Sequence, residues 1–165
     1  IRYRPDKNDP YTWAVRGKER SRGIELNILG QIYENLYLRS SLGYMRAIIV
    51  NDKSNPLNEK LSLYNTTNWQ GNVLLRYAKN DKWYVESGVT GYSKRYNYQV
   101  DKTNGRVIDE HLPGFARFDA SAGYNFNEHA QITLAINNIL NKKYWRSDSR
   151  PGDERSFMLN MHYTF

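Results

Sequence analysis

A chain of 165 residues with 24 Lys+Arg against 17 Asp+Glu, a net charge of +7 and 39% hydrophobic residues suits one domain. It holds no stretch near the roughly 20 apolar residues of a membrane helix, so any membrane-embedded form must be a β-barrel. Cysteine is absent, which excludes disulfides and thiolate chemistry, while 14 tyrosines supply the aromatic whose apolar body and polar tip suit a water boundary.

The first four residues, "IRYR", read as the end of a strand that the chain enters part-way, followed by a long connection over Pro5 to Ser21. From Gly23, "GIELNILGQI" sets Ile24, Leu26 and Ile28 against Glu25 and Asn27. "NLYLRSSLGY" sets Leu36, Leu38, Leu42 and Tyr44 against Tyr37, Arg39, Ser41 and Gly43. Next, Trp69, Gly71, Val73, Leu75 and Tyr77 alternate with Gln70, Asn72, Leu74 and Arg76. In the fourth run Trp83, Val85 and Val89 face away from Tyr84, Glu86 and Thr90. The fifth sets Phe118, Ala120, Ala122, Tyr124 and Phe126 against Arg117, Asp119, Ser121, Gly123 and Asn125, and the sixth sets Ile132, Leu134 and Ile136 against Gln131, Thr133, Ala135 and Asn137. The closing run, "RSFMLNMHYTF", places Phe157, Leu159, Met161, Tyr163 and Phe165 at alternate positions. Period-two alternation marks strands with one apolar and one polar face. No sustained helical period occurs, although Ile136, Ile139 and Leu140 could form one turn. The expected fold is all-β, an antiparallel wall of about eight strands with the first one clipped.

The connections alternate long and short: 5–21, then "GQIYEN"; 51–67, then "AKNDK"; 99–113, then "NEH"; finally 146–154. Successive antiparallel strands reverse direction, so the long connections share one rim and the short ones the other. Outer-membrane barrels sort their loops in this way, whereas a soluble sandwich has no reason to. The polar face is rich in Gln, Asn, Ser, Thr and Gly with isolated charges such as Arg39, Arg76, Arg117 and Asp119, which fits a wet, crowded lumen. Tyr33, Tyr77, Trp83, Tyr124, Phe126, Tyr163 and Phe165 sit where strands meet the short turns, as an interfacial aromatic girdle would.

Enzymatic chemistry finds no support. His111, His129 and His162 are dispersed without metal-ligand spacing, and no Ser-His-Asp arrangement is proposed by the order of residues. Asp153 and Glu154 could join Asp148 around a cation, but a loop salt-bridged to Arg150 and Arg155 is the expected arrangement. The basic residues form no continuous stripe, which disfavours nucleic acid.

The stretch "LPGFARFDASAGYNFNEHAQITLAINNILNKKYW" followed by "PGDERSFMLNMHYTF" resembles the C-terminal end of a TonB-dependent outer-membrane receptor. Asp119, Tyr124, Asn138 to Tyr144, Gly152, Arg155 and Phe165 carry the resemblance, and Arg20 or Arg22 with Gly23, Ile24 and Glu25 resemble an earlier strand of the family. The resemblance implies a 22-stranded barrel, in line with the about 22 strands of such transporters. Residues 1–165 would then be the C-terminal portion of that barrel, with plug and earlier strands outside this sequence. It implies a receptor in the outer membrane of a Gram-negative bacterium, not an enzyme. Its function would be active uptake of a ferric siderophore, energised by the TonB-ExbB-ExbD system through the N-terminal part. Haem, cobalamin or another metal complex is the alternative ligand, and no cofactor is expected beyond iron carried in the siderophore. A complete small eight-stranded barrel with a structural or adhesion role is the alternative architecture. In the family the closing strand resembles the signal read by the barrel-assembly machinery, here Phe157, Leu159, Met161, Tyr163 and Phe165. Trp13, Arg16, Tyr96, Tyr98, Trp145 and Arg146, near outer strand ends, are the candidate ligand contacts, since Arg pairs with chelating oxygens and aromatics stack on ligand rings. Basic loop tips could instead meet lipopolysaccharide phosphates, and the outer face meets outer-membrane lipid.

Overall fold

The computed structural model describes residues 2–3, 14–15, 17–53, 56–101, 103–147 and 150–165, with the backbone alone at 2–3, 14–15, 97–100, 107, 109–110 and 147. Seven strands make one antiparallel sheet in chain order: β1 (Gly17–Tyr33), β2 (Leu36–Asp52), β3 (Trp69–Lys79), β4 (Trp83–Tyr92), β5 (Phe115–Asn125), β6 (Ala130–Asn137) and β7 (Ser156–Tyr163). Each expected run is a strand. Arg2–Tyr3 pairs with Ala14–Val15, the segment just before β1 in sequence. The first and last strands of the sheet, β1 and β7, are not paired with each other among the described residues.

Three tight connections hold the inner rim. Asn35 turns β1 into β2 at φ 59°, and Asn80 and Asp81 take φ 53° and 51° between β3 and β4, the left-handed geometry that matches hairpin twist. At the third, Asn127 Oδ1 accepts the main-chain N–H groups of His129 and Ala130 at 2.9 Å each.

Register carries the alternation across the whole wall. Ile24, Leu26 and Ile28 lie opposite Tyr44, Leu42 and Ser40, which lie opposite Trp69, Gly71 and Val73. On the far side Tyr124, Ala122 and Ala120 face Ile132, Leu134 and Ile136, and these face Met161, Leu159 and Phe157. One face is thus a largely apolar band exposed outward, with Ile24 77%, Leu159 60% and Met161 72% exposed. A soluble protein rarely leaves so wide a band uncovered, whereas a barrel gives it to lipid. Aromatics bound the band. Tyr44 and Trp69 meet at 4.8 Å on the outer side, and Tyr77–Trp83, Tyr124–Phe126 and Tyr163–Phe165 meet at 5.5, 5.0 and 5.1 Å on the inner. Tyr77 follows Trp69 by eight residues on one strand, about 26 Å at some 3.3 Å per residue, the scale of the roughly 25 Å apolar band.

The opposite face is polar and tied together. Arg76 lies 3.5 Å from Glu86 and places its guanidinium 3.7 Å from the centre of the Tyr84 ring. Tyr84 in turn covers Gly123 so closely that a Cβ there would come within 2.2 Å of the ring.

The outer elements run further than the alternation implied. β1 and β2 remain paired from Ile24↔Tyr44 out to Gly17↔Asp52, and the following loop folds back on β2, with Lys60 and Leu63 N–H donating to the Ile49 and Ala47 carbonyls. Ala47 is buried there, so this stretch serves two faces and loses its clean period. Residues 99–113, expected as an open loop, belong largely to a hairpin, Arg95–Val100 with Val107–Leu112, to which Thr66–Thr67 adds a third strand. The Asn104-Gly105 pair near its tip is a hairpin signal in the sequence.

Candidate functional site

Above the wall, on the polar face, three rings form a ladder. Phe115 at the start of β5 lies 5.3 Å from Tyr92 at the end of β4, and Tyr144 stacks on Phe115 at 4.1 Å and 25°. Tyr144 is buried, with its ring against Gly152, where a Cβ would come within 2.3 Å.

What holds Tyr144 is a polar knot between β5 and the β6–β7 loop. Asp119 accepts from Arg117 Nε and Nη2 at 3.1 and 2.9 Å, and from the Asn138 main-chain N–H at 2.8 Å. Arg117 Nη1 reaches the Tyr144 hydroxyl at 3.3 Å. Asn138 is fully buried at φ 54°, its amide donating to the Lys142 and Asp153 carbonyls and accepting from the Lys142 N–H. A buried amide with every partner in place holds a loop without paying for an orphaned group. The Asn138-to-Tyr144 motif is thereby structural: it shapes the loop that presents Tyr144.

A second tie joins two outer loops. The Arg95 guanidinium donates through Nη1 and Nη2 to the main-chain oxygens of Arg146 and Trp145. Its Nε is buried without a partner among the described residues. Around these groups lies a cavity of about 540 Å³, lined among others by Tyr92, Phe115, Tyr144, Arg95, Arg117 and Arg146. A second cavity of about 510 Å³ continues along the polar face, sharing Met45, Thr67, Gln70, Thr90 and Tyr92 with the first. Three guanidinium groups beside a stack of rings suit a ligand with anionic oxygens and flat or aromatic parts.

Of the six expected contacts, Arg146 lines this cavity, and Trp145, 45% exposed, supports it through the carbonyl that Arg95 holds. Tyr96 lies in the outer hairpin opposite Thr66 and His111, with its hydroxyl 3.4 Å from Asn68 Nδ2. Tyr98 pairs with Asp109 through its backbone, and its side chain lies outside the described residues, as do Trp13 and Arg16 entirely. Tyr92, Phe115, Arg117 and Tyr144 are not among the expected contacts, since in the sequence each reads as strand or motif. Only the pairing of β4 with β5, and the return of the β6–β7 loop, bring them together.

The acidic residues of that loop differ in their partners from the expectation. Asp153 pairs with Arg146 and Glu154 with Lys143, not with Arg150 and Arg155, because Arg155 points its N–H to Asn141 Oδ1 and its guanidinium toward the Ile139 carbonyl. The hydrogen bond from Lys143, and then its charge, hold the Glu154 carboxyl below the usual glutamate range. In the outer hairpin the Thr103 main-chain N–H does the same for Asp101. No group of three or more acidic, His or Cys side chains that could hold a metal occurs among the described residues. The terminal residues Phe157, Leu159 and Met161 lie on the apolar face, Tyr163 opposite Ala130, and Phe165 beyond the strand, edge-on to Tyr163 and fully exposed.

A family model for "TonB dependent receptor-like, beta-barrel" matches residues 1–139. The chain belongs to this family. TonB-dependent receptors are outer-membrane β-barrels and transport receptors. Among curated TonB-dependent relatives, the probable siderophore receptor PiuA of Acinetobacter baumannii is 28% identical over 143 residues, 83% of this chain and 19% of PiuA. The metal-pseudopaline receptor CntO of Pseudomonas aeruginosa is 23% identical over 163 residues, 94% of this chain and 22% of CntO. Among solved structures, the ferric-catecholate import receptor Fiu of Escherichia coli K12 superposes with a TM-score of 0.74 at 23% identity, over 97% of this chain and 23% of Fiu. The chain therefore spans about a fifth of the length of the curated relatives it matches.

Proposed function

We propose that these strands form the C-terminal part of the wall of a larger TonB-dependent receptor that takes up a ferric siderophore, energised through TonB. The observation that carries the ligand assignment is the cluster of Arg95, Arg117 and Arg146 beside the Tyr92–Phe115–Tyr144 ladder on the polar face. The Arg95 Nε, buried without a partner among the described residues, supports it, since a ligand oxygen there would complete a buried donor. The edges of β1 and β7, unpaired among the described residues, support a wall continued by further strands over a self-closed small barrel, because exposed edges invite pairing. The named ligands of PiuA, CntO and Fiu are siderophores or metal chelates, which supports the class while leaving the individual compound open to measurement.

The test is tryptophan-fluorescence quenching of the full-length receptor in detergent by ferric catecholate, hydroxamate and carboxylate siderophores. Quenching by one class, weakened by Arg146→Gln and Arg117→Gln, is the expected outcome. Quenching by haem or cobalamin alone would overturn the siderophore reading.

A further inference from the structure

The partners of the three guanidinium groups in the ring-lined cavity divide them into two kinds. Arg117 gives Nε and Nη2 to Asp119 at 3.1 and 2.9 Å, and Arg146 pairs with Asp153. Each of these charges is thus matched inside the protein. Arg95 forms no ion pair with a carboxylate among the described residues. Its Nη1 and Nη2 donate to the main-chain oxygens of Arg146 and Trp145, which are neutral, and its Nε is buried with no acceptor among the described residues. A guanidinium stays charged whatever surrounds it, so partial burial against neutral acceptors leaves a positive charge unmatched, at a cost to stability.

The surroundings do not supply the missing charge. Apart from the three arginines the cavity is lined by Met45 and by amide, hydroxyl and aromatic side chains, with no Asp or Glu among the described residues. In the adjoining cavity the charged liners are Arg22 and Glu25, of opposite sign. Lys94, next to Arg95 in sequence, adds a further cation, 5.1 Å from the Tyr96 ring. Once the matched pairs and the opposite charges of Arg22 and Glu25 are set aside, the joined space keeps one positive charge on its lining, at Arg95. Its buried Nε is the donor on that group with no acceptor.

We infer that Arg95 is the residue that selects the ligand by charge: the site takes a ferric chelate presenting an anionic oxygen to Arg95 Nε and discriminates against a neutral chelate of the same size. The inference rests on the ferric-siderophore reading above and assigns unequal roles to its three arginines. Arg117 and Arg146, already paired, offer hydrogen bonds and shape. Arg95 supplies the net attraction, which a charge-assisted bond to the ligand converts into a matched pair.

The test measures fluorescence quenching of the full-length receptor, in neutral detergent at low salt, by ferric complexes built on one tripod. Replacing the three catecholate arms stepwise by hydroxamate takes the complex from three negative charges to none at nearly constant size. Wild type is expected to lose about three- to ten-fold in affinity for each negative charge removed, with a smaller loss at high salt. Arg95→Gln is expected to flatten this dependence. Arg95→Lys should keep most of it although it gives up the fork to the two carbonyls, which separates the charge from the tie between the loops. The double variant Arg146→Gln, Asp153→Asn removes a matched pair and should bind all four complexes more weakly while keeping the dependence on charge. Heat-modifiable migration in electrophoresis reports folding, and if Arg95→Gln does not fold, the wild-type series and the double variant decide. Equal affinity of wild type for all four complexes, an unchanged dependence in folded Arg95→Gln, or its loss in the double variant would overturn the assignment to Arg95 and leave the siderophore reading standing. Quenching by none of the four would overturn both.

Discussion

Asp119 accepts the main-chain N–H of Asn138 at 2.8 Å, and through that contact a lumen-facing carboxylate of β5 fixes the start of the β6–β7 loop. The buried Asn138 amide then closes the loop on Lys142 and Asp153. Asn138→Ala would leave those carbonyls and an N–H unsatisfied and place alanine at φ 54°. The expected loss is about 2–4 kcal/mol of local stability. Hydrogen exchange should show reduced protection across residues 138–155, with β3 and β4 unaffected.

Arg95 binds two carbonyls with one fork, which an ammonium cannot reproduce. Arg95→Lys is expected to free the 144–147 segment from the outer hairpin at a cost of about 1–3 kcal/mol. Limited proteolysis should then cut that segment faster than in wild type. An unchanged cutting rate would show that the tie contributes nothing to loop order.

Gly152 leaves the space that the Tyr144 ring occupies. Gly152→Ala would push the ring off Phe115, costing about 1–3 kcal/mol. In a Tyr144→Ala background the same change should be nearly neutral, so a double-mutant cycle measured by ligand affinity and thermal unfolding reads the contact directly.

Glu154 has a folded-state pKa held below its unfolded value by Lys143. Its contribution to loop order is therefore present above the unfolded pKa and disappears as pH falls through the lowered folded value. Both partners are exposed, so the effect is small and screened by salt. Amide protection in residues 143–154, compared with Glu154→Gln after correction for intrinsic exchange, should converge with the variant in acid and exceed it near neutrality at low salt.

Phe165 is fully exposed and touches Tyr163 edge-on. Removing it is expected to lower the amount of receptor assembled in the outer membrane while synthesis stays constant, measured as surface-labelled against total protein. Unchanged surface labelling would rule out an assembly role for this residue.

The strands were legible because period-two alternation survives wherever one face meets lipid and the other a polar lumen: Trp69 to Tyr77 is read from spacing alone. The same rule failed at Met45 to Asp52, where the returning loop pairs along β2 and Ala47, an inward position, becomes buried. It failed again at 99–113, where a hairpin outside the membrane has no lipid to enforce a pattern. Arg146 stood out as a basic residue near a strand end. Arg117 and Tyr144 did not, since their significance lies in a 3.3 Å contact between groups 27 residues apart.

By itself, the sequence determined the fold class, the sorting of loops to two rims, the face of each strand and the family, all of which depend on local alternation and on motifs contiguous in the chain. Tertiary structure decided which side chains share a surface. Register set Arg22 against Arg46, and the pairing of β4, β5 and the returning loop stacked Tyr92, Phe115 and Tyr144 inside the wall. Register is fixed by hydrogen bonds between strands, and a shift of one residue in a strand would turn its side chains, Arg22 or Tyr92 or Phe115, to the opposite face.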